Sequence, residues 1–245
     1  MLNEMDDPEM SIYNPSQDSI LWAQNIAQQD CEVIEDTLET MVVDSEFAER
    51  LCALVAIIKS GESSFGEWDC ELAGVIQEIL EDNKNLEFLG QGSYSSCFAD
   101  SNNNVYKINL HVEAVDPWLS YAEICMSNNK NPLLPVIDSV YKHDDTYCAI
   151  MERLEEVSES SIEILKHKLE DITSAIFEND AATLDQIAPT SLFTITKHIC
   201  QEFLDVLNQA SRNYTIYSTE NCNLDIRISN IMMRKNQAVF IDPLY

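Results

Sequence analysis

Asn223-Leu224-Asp225-Ile226-Arg227-Ile228-Ser229-Asn230-Ile231-Met232-Met233, followed twelve residues after Asn230 by Ile241-Asp242, concentrates more chemistry than any other stretch of this 245-residue chain. It contains Asp-x-Arg-x-x-Asn and then an apolar run. Transfer of a phosphoryl group asks for a carboxylate to accept the hydroxyl proton, a cation near the transferred charge, and a metal held by an amide oxygen and a second carboxylate. Asp225, Arg227, Asn230 and Asp242 supply one of each. A β-hairpin turning at Arg234-Lys235-Asn236-Gln237 would bring Asn230 and Asp242 face to face at its base. Asp-x4-Asn alone is common by chance, so the order and spacing of all the parts carry the signal.

Upstream, Leu86-Glu87-Phe88-Leu89 and Ser96 to Ala99 read as two strands around Gly90-Gln91-Gly92-Ser93-Tyr94-Ser95. Gly is rare, at 5 residues, and a Gly-x-Gly turn lets backbone N–H groups approach phosphates closely. A hairpin that needs positive φ explains the pair equally well. A polar tip, Asp100 to Asn104, leads into Val105-Tyr106-Lys107-Ile108, where Lys107 stands inside an apolar strand. A buried lysine needs an anionic partner; one that snorkels to the surface needs none. Glu123, on the helix expected around Trp118 to Cys125, is the candidate partner, although a solvated Glu is the default in so acidic a chain. Two more strands, Leu134 to Tyr141 and Tyr147 to Met151, meet at His143-Asp144-Asp145. The order is β-β-β-α-β-β.

Residues 1–30 read as a polar arm with at most one short helix. From Cys31 apolar residues recur at three- and four-residue steps (Val33, Ile34, Leu38, Met41, Val42; Phe47, Leu51, Leu54, Val55, Ile58; Trp68, Leu72, Val75, Ile76, Ile79), which predicts a helical extension over 31–85. Helices resume at Ser161 to Phe177 and Leu192 to Asn213. The eight cysteines never come closer than 18 residues. That spacing argues against a zinc site or disulfide framework and for small buried hydrophobes in a reducing, cytoplasmic setting.

With 14 Lys and Arg against 43 Asp and Glu, the net charge is −29. Phosphate backbones and anionic membrane surfaces repel such a chain, so no direct nucleic-acid or membrane contact is expected. No apolar run of roughly 18 residues is present, and the first ten residues are acidic where a signal peptide is basic. At 45% hydrophobic the chain can still bury a core.

From Phe88 to Asp242 the sequence resembles the protein kinase fold. Gly90 and Gly92 match its glycine-rich loop, Lys107 the third-strand lysine and Glu123 the helix-C glutamate. Ala149-Ile150-Met151-Glu152 is similar to the strand that enters the hinge, with Met151 as gatekeeper. Asp225 and Asn230 match the catalytic loop, and Asp242 the magnesium-binding Asp. More narrowly, the helical leader, Phe88-Leu89-Gly90-x-Gly92-x-x-Ser95, Tyr121-x-x-x-Cys125, Asn230-Ile231-Met232 and Asp242-Pro243 resemble the early Ser/Thr protein kinases of short-tailed lytic bacteriophages, which phosphorylate host proteins and help shut off host transcription.

The resemblance implies an α+β, bilobal kinase-like fold: a β-rich N-lobe at 86–152 and a minimal helical C-lobe at 153–245 that ends just past the metal-binding Asp. ATP and Mg²⁺ are the implied cofactors. ATP would lie under Gly90, Gly92, Ser93 and Ser95, with Val105, Met151, Glu152 and Met232 around the adenine and Lys107, held by Glu123, on the phosphates. Asn230 and Asp242 would hold Mg²⁺, Asp225 would act as base, and Arg227 would stabilise the transferring charge. Departures are Ser95 at the third glycine, Asn223-Leu224 in place of His-Arg, and Asp242-Pro243-Leu244 in place of Asp-Phe-Gly. Regulation through a phosphorylated activation loop is therefore not expected. The implied partners are host proteins with basic surfaces, such as RNA polymerase, nucleases or defence proteins. Two alternatives are an acidic DNA mimic that binds host proteins on a degenerate kinase fold, and a small-molecule phosphotransferase whose cap is Glu155 to Pro189.

Overall fold

The computed structural model describes residues 12–60, 69–110, 116–144, 146–187, 196–217 and 222–244. Its N-terminal part is more structured than a polar arm. Ile12–Tyr13 forms a strand (β1), and Gln17–Ala27 a helix (α1) capped by Ser16, whose side chain accepts from the Ser19 N–H. Ala23, Ile26 and Ala27 fall at i, i+3 and i+4 and are buried, which gives α1 a docking stripe despite its polar composition. The extension accordingly begins before Cys31. Helices Cys31–Thr40 (α2) and Ser45–Lys59 (α3) follow their capping residues Asp30 and Asp44, and Asp69–Asp82 (α4) completes the leader. Trp68, expected to open that last helix, lies outside the described residues. From Leu51 to Ile58 every residue of α3 is buried, which makes it the central helix of this layer.

Leu86–Gln91 (β2), Ser96–Asp100 (β3), Asn104–Ile108 (β4), Ile137–His143 (β5) and Thr146–Glu152 (β6) join β1 in a six-stranded sheet of order β1-β5-β6-β4-β3-β2. Only β1 pairs in parallel, against β5, where Tyr13 stacks on Tyr141. Side chains alternate between the faces of the strands. Phe98, Tyr106, Ile108, Cys148 and Ile150 share a core with α1–α4, while Ala99, Val105, Ala149 and Met151 belong to a second core on the other face.

That second core contains helix Trp118–Ser127 (α5), then Glu159–Phe177 (α6), Ala181–Ile187 (α7) and Lys197–Tyr217 (α8), and the hairpin Ile231–Arg234 (β7) and Gln237–Phe240 (β8). The expected α+β class, a β-rich unit followed by a helical one, is what forms. The hairpin turns where expected, with Lys235 at φ +59°. Helix α7 was not anticipated from the sequence. Its seven residues are too few for a clear period, and its start depends on Asp180, which accepts from the Ala182 and Thr183 N–H groups. Leu192, the expected start of the last helix, lies outside the described residues. Cys52, Cys125, Cys148 and Cys200 are buried and Cys31 is exposed; burial pushes the Cys52 thiol up to about 12.

Candidate active site

The hairpin brings the two ends of the decisive stretch together. The Ile241 N–H donates to the Asn230 carbonyl at 2.9 Å, and the Asp225 N–H to the Pro243 carbonyl at 2.8 Å. A further bridge pairs Leu224 with Leu244. Asn230 closes a single 3-10 turn, Ile228–Asn230, and its Nδ2 donates both to the Asp225 carbonyl (2.9 Å) and to Asp225 Oδ2 (2.8 Å). With Nδ2 so engaged, Asn230 Oδ1 is the atom left to face a ligand; its hydrogen bond from Ser229 Oγ is long, at 3.4 Å. Arg227 Nε donates to Asp225 Oδ1, so the expected cation lies on the expected base. Asp225, Asn230, Arg227 and Asp242 thus converge.

Lys107 joins them from β4 across 135 residues of chain: its Nζ donates to Asp242 Oδ2 at 3.0 Å. The lysine side chain is 7% exposed and the carboxylate 34%, so the pair is buried on one side and open on the other. Burial penalises the ammonium, but the Asp242 and Asp116 carboxylates outweigh it and hold Lys107 above its ordinary value. Burial likewise holds Asp242 above the usual Asp range, against the pull of Lys107.

Glu123 is not the partner of Lys107 in this structure. From Trp118 to Met126 every residue of α5 except Glu123 is buried, and Glu123 stands about 200° around the helix from Tyr121. There it meets Lys142 of β5 at 3.7 Å. The Tyr121-x-x-x-Cys125 pattern is structural: Tyr121 Oη donates to the Phe240 carbonyl at 2.7 Å and ties α5 to β8.

Strand β2 is bulged between Phe88 and Gly90, and Gly90 takes φ +157°. Gly92 donates its N–H to the Ser95 carbonyl at 2.8 Å. Ser93 is exposed, whereas Ser95 is buried, so its side chain does not face an open cleft. Val105 and Met151 are register partners and both are buried on the inner face. Met232 is half-buried and shares a face of β7 with Arg234. Glu152 departs from expectation. Its carboxylate is held by Arg234 and by the Val136 N–H, and its own N–H donates to the Val136 carbonyl. Glu152 therefore latches the hairpin to the end of β6, and that N–H is not on offer to a ligand.

Sequence reasoning missed Asp116, Trp118 as a site residue, and Tyr147. Lys107 Nζ sits 4.1 Å from the centroid of the Trp118 ring, whose Nε1 donates to the Ile241 carbonyl at 2.8 Å. Asp-Pro-Trp at 116–118 was legible as a helix start only. Beside the site, Leu169, Glu170, Thr173 and Phe177 of α6 form with Ile226 a groove of about 480 Å³, next in sequence to Asp225.

For a divalent metal the donors fit: Mg²⁺ is commonly bound through one or two carboxylates, waters and substrate phosphates rather than in an all-protein cage. Asp242 offers a partly open carboxylate and Asn230 an amide oxygen. Among the described residues no cluster of three or more acidic, His or Cys side chains forms a metal cage by itself, and no described helix is long and apolar enough to cross a membrane.

No family model and no curated protein matches the chain. A chain in the structure of the streptomycin-ATP-APH(2")-IIa ternary complex is similar at a TM-score of 0.30 and 16% identity, over 69% of this chain and 70% of that one.

Proposed function

We propose that this chain is an ATP-dependent phosphotransferase of protein-kinase type, acting on Ser/Thr hydroxyls of basic proteins, host proteins of an infected bacterium among them. The observation that carries the reading is the convergence of Lys107 from β4 with Asp225, Asn230 and Asp242, more than 115 residues further along the chain, onto one half-open site. Those residue types, in that order, are what transfer of a phosphoryl group needs.

In this reading Lys107 binds phosphate oxygens of the nucleotide, and Asn230 Oδ1 and Asp242 hold Mg²⁺. The bound metal neutralises charge on the phosphates. Asp225, kept in place by Asn230 Nδ2, orients the acceptor hydroxyl and takes its proton as the oxygen bonds to the γ-phosphorus and the bond from that phosphorus to the β,γ-bridging oxygen breaks, releasing ADP. Arg227 stands next to that oxygen to meet the developing charge. Val105, Met151 and Met232 give the base an apolar slot. The groove along α6, lined by Leu169, Phe177 and Ile226 together with Glu170, Thr173 and Ser174, suits an acceptor that carries both apolar and basic groups.

The test is transfer from labelled ATP with Mg²⁺ into a bacterial lysate, wild type beside Asp225→Ala. Transfer should fall by about 100-fold or more, with ATP affinity within about twofold. Retained transfer by the variant would sink the assignment. A second reading, an acidic inhibitor that occupies a basic groove on a host protein, draws on the charge of −29. It prevails if Asp225→Ala acts on the host as strongly as the intact protein.

A further inference from the structure

Lys107 has to stay aimed while Asp242 engages a metal, and Glu123 faces Lys142 instead. Among the described residues, a second buried carboxylate in the segment before α5 acts electrostatically on this ammonium. Asp116, directly before α5, is 4% exposed. Its Oδ1 accepts from the Trp118 N–H at 2.9 Å, and its Oδ2 accepts from Tyr147 Oη. Both donors are neutral groups that orient the carboxylate. The Tyr147 ring stacks on Trp118 with centroids 5.2 Å apart, and Trp118 presents its ring to Lys107. Trp118 Nε1 bonds the carbonyl of Ile241, one residue before Asp242. One connected set of groups therefore runs from Tyr147 and Asp116 through Trp118 to Lys107 and the strand end that carries Asp242.

We propose that Asp116, seated against the Trp118 and Tyr147 rings, is the positioning carboxylate for Lys107, the duty expected of Glu123. This rests on the phosphotransferase reading above. Asp116 acts at a distance, as a fixed negative charge in a low-dielectric setting, while the Trp118 face adds cation–π attraction. A carboxylate so bound cannot swing to Lys107 and compete with the nucleotide for its donors.

The test is calorimetric titration of the full chain with ATP in Mg²⁺ buffer. Asp116→Asn keeps the shape and the acceptor for the Trp118 N–H, and should weaken ATP about tenfold, whereas Glu123→Gln should change it less than about twofold. In a Lys107→Met background Asp116→Asn should add nothing, because its effect passes through the lysine. Tyr147→Phe, which loosens Asp116 without uncovering a charge, should weaken ATP about threefold and supplies the readout if Asp116→Asn does not fold by circular dichroism. The proposal fails if Asp116→Asn binds ATP like wild type, if its loss is undiminished in the Lys107→Met background, or if Glu123→Gln proves the more damaging. Should wild-type protein bind no ATP, the phosphotransferase reading falls and takes this one with it. ATP binding that is intact in both wild type and Asp116→Asn overturns the positioning role alone.

Discussion

Gly90 and Gly92 stand two residues apart and answer different demands. Gly90 has φ +157°, a conformation L side chains rarely adopt, so Gly90→Ala should cost about 1–3 kcal/mol in a urea titration. A Cβ on Gly92 would meet the Ser95 carbonyl at 3.7 Å, an ordinary contact, so Gly92→Ala should change stability by less than about 0.5 kcal/mol. If the turn covers phosphates, the same Gly92 variant raises the Kd for ATP, because only the ligand brings atoms close enough to feel the methyl. A large stability loss in Gly92→Ala would remove that argument. Most of the site's residues were legible one by one. Asp225, Asn230 and Asp242 stand at diagnostic spacing, and Lys107 stands out as a charge in an apolar strand. The partner of Lys107 was not legible: Asp242 takes it from 135 residues away, while Glu123, in the middle of α5, is turned to Lys142.

Elements are joined by a few polar contacts whose loss should be measurable. Glu49 of α3 accepts from the Ser16 N–H at 2.6 Å and from the Ser19 hydroxyl at 3.0 Å, tying the start of α1 to the central helix. Partial burial pushes the Glu49 carboxyl up, but those bonds and nearby Arg50 outweigh it and hold it below the ordinary value of 4.5. A folded value below the unfolded one means stability that is present above the ordinary value and is lost as pH falls through the folded value. Glu49→Gln should therefore unfold at lower urea than wild type at pH 7, with the gap closing below about pH 4. An equal gap at pH 7 and pH 3 would contradict it. At the other end of the molecule, Arg234 reaches Glu152 and the carbonyls of Pro132 and Leu134, and so clamps the β7–β8 hairpin to β6. Arg234→Ala should cost about 2 kcal/mol by urea unfolding and lower transfer activity together with it, since Asp242 is placed by that hairpin.

At the scale of the whole molecule, the charge of −29 has two opposite consequences with salt. Self-repulsion destabilises the compact state, so the urea midpoint should rise from 20 mM to 500 mM NaCl as screening shortens its range to a few ångströms (about 3 Å at 1 M). Attraction to a basic acceptor protein is weakened by the same screening, so its KM should rise over the same interval while the KM for ATP changes less. A basic acceptor whose KM is indifferent to salt would argue against electrostatic recruitment. The site is the local exception to this field: Lys107 and Arg227 each lie on a site carboxylate.

By itself the sequence determined the order of β2 to β6 around α5, the hairpin after Asn230 and the list of chemically competent residues. These follow from local periodicity, turn chemistry and spacing, which act over a few residues. Tertiary structure alone decided that residues 12–30 join the fold, that α7 forms, that Glu152 is a latch, and that Lys107 lies on Asp242 and the Trp118 ring. Those outcomes depend on the packing of α5 and the hairpin against the inner face of the sheet. Contacts between residues 135 positions apart are set by that burial and leave no mark on the sequence around either partner.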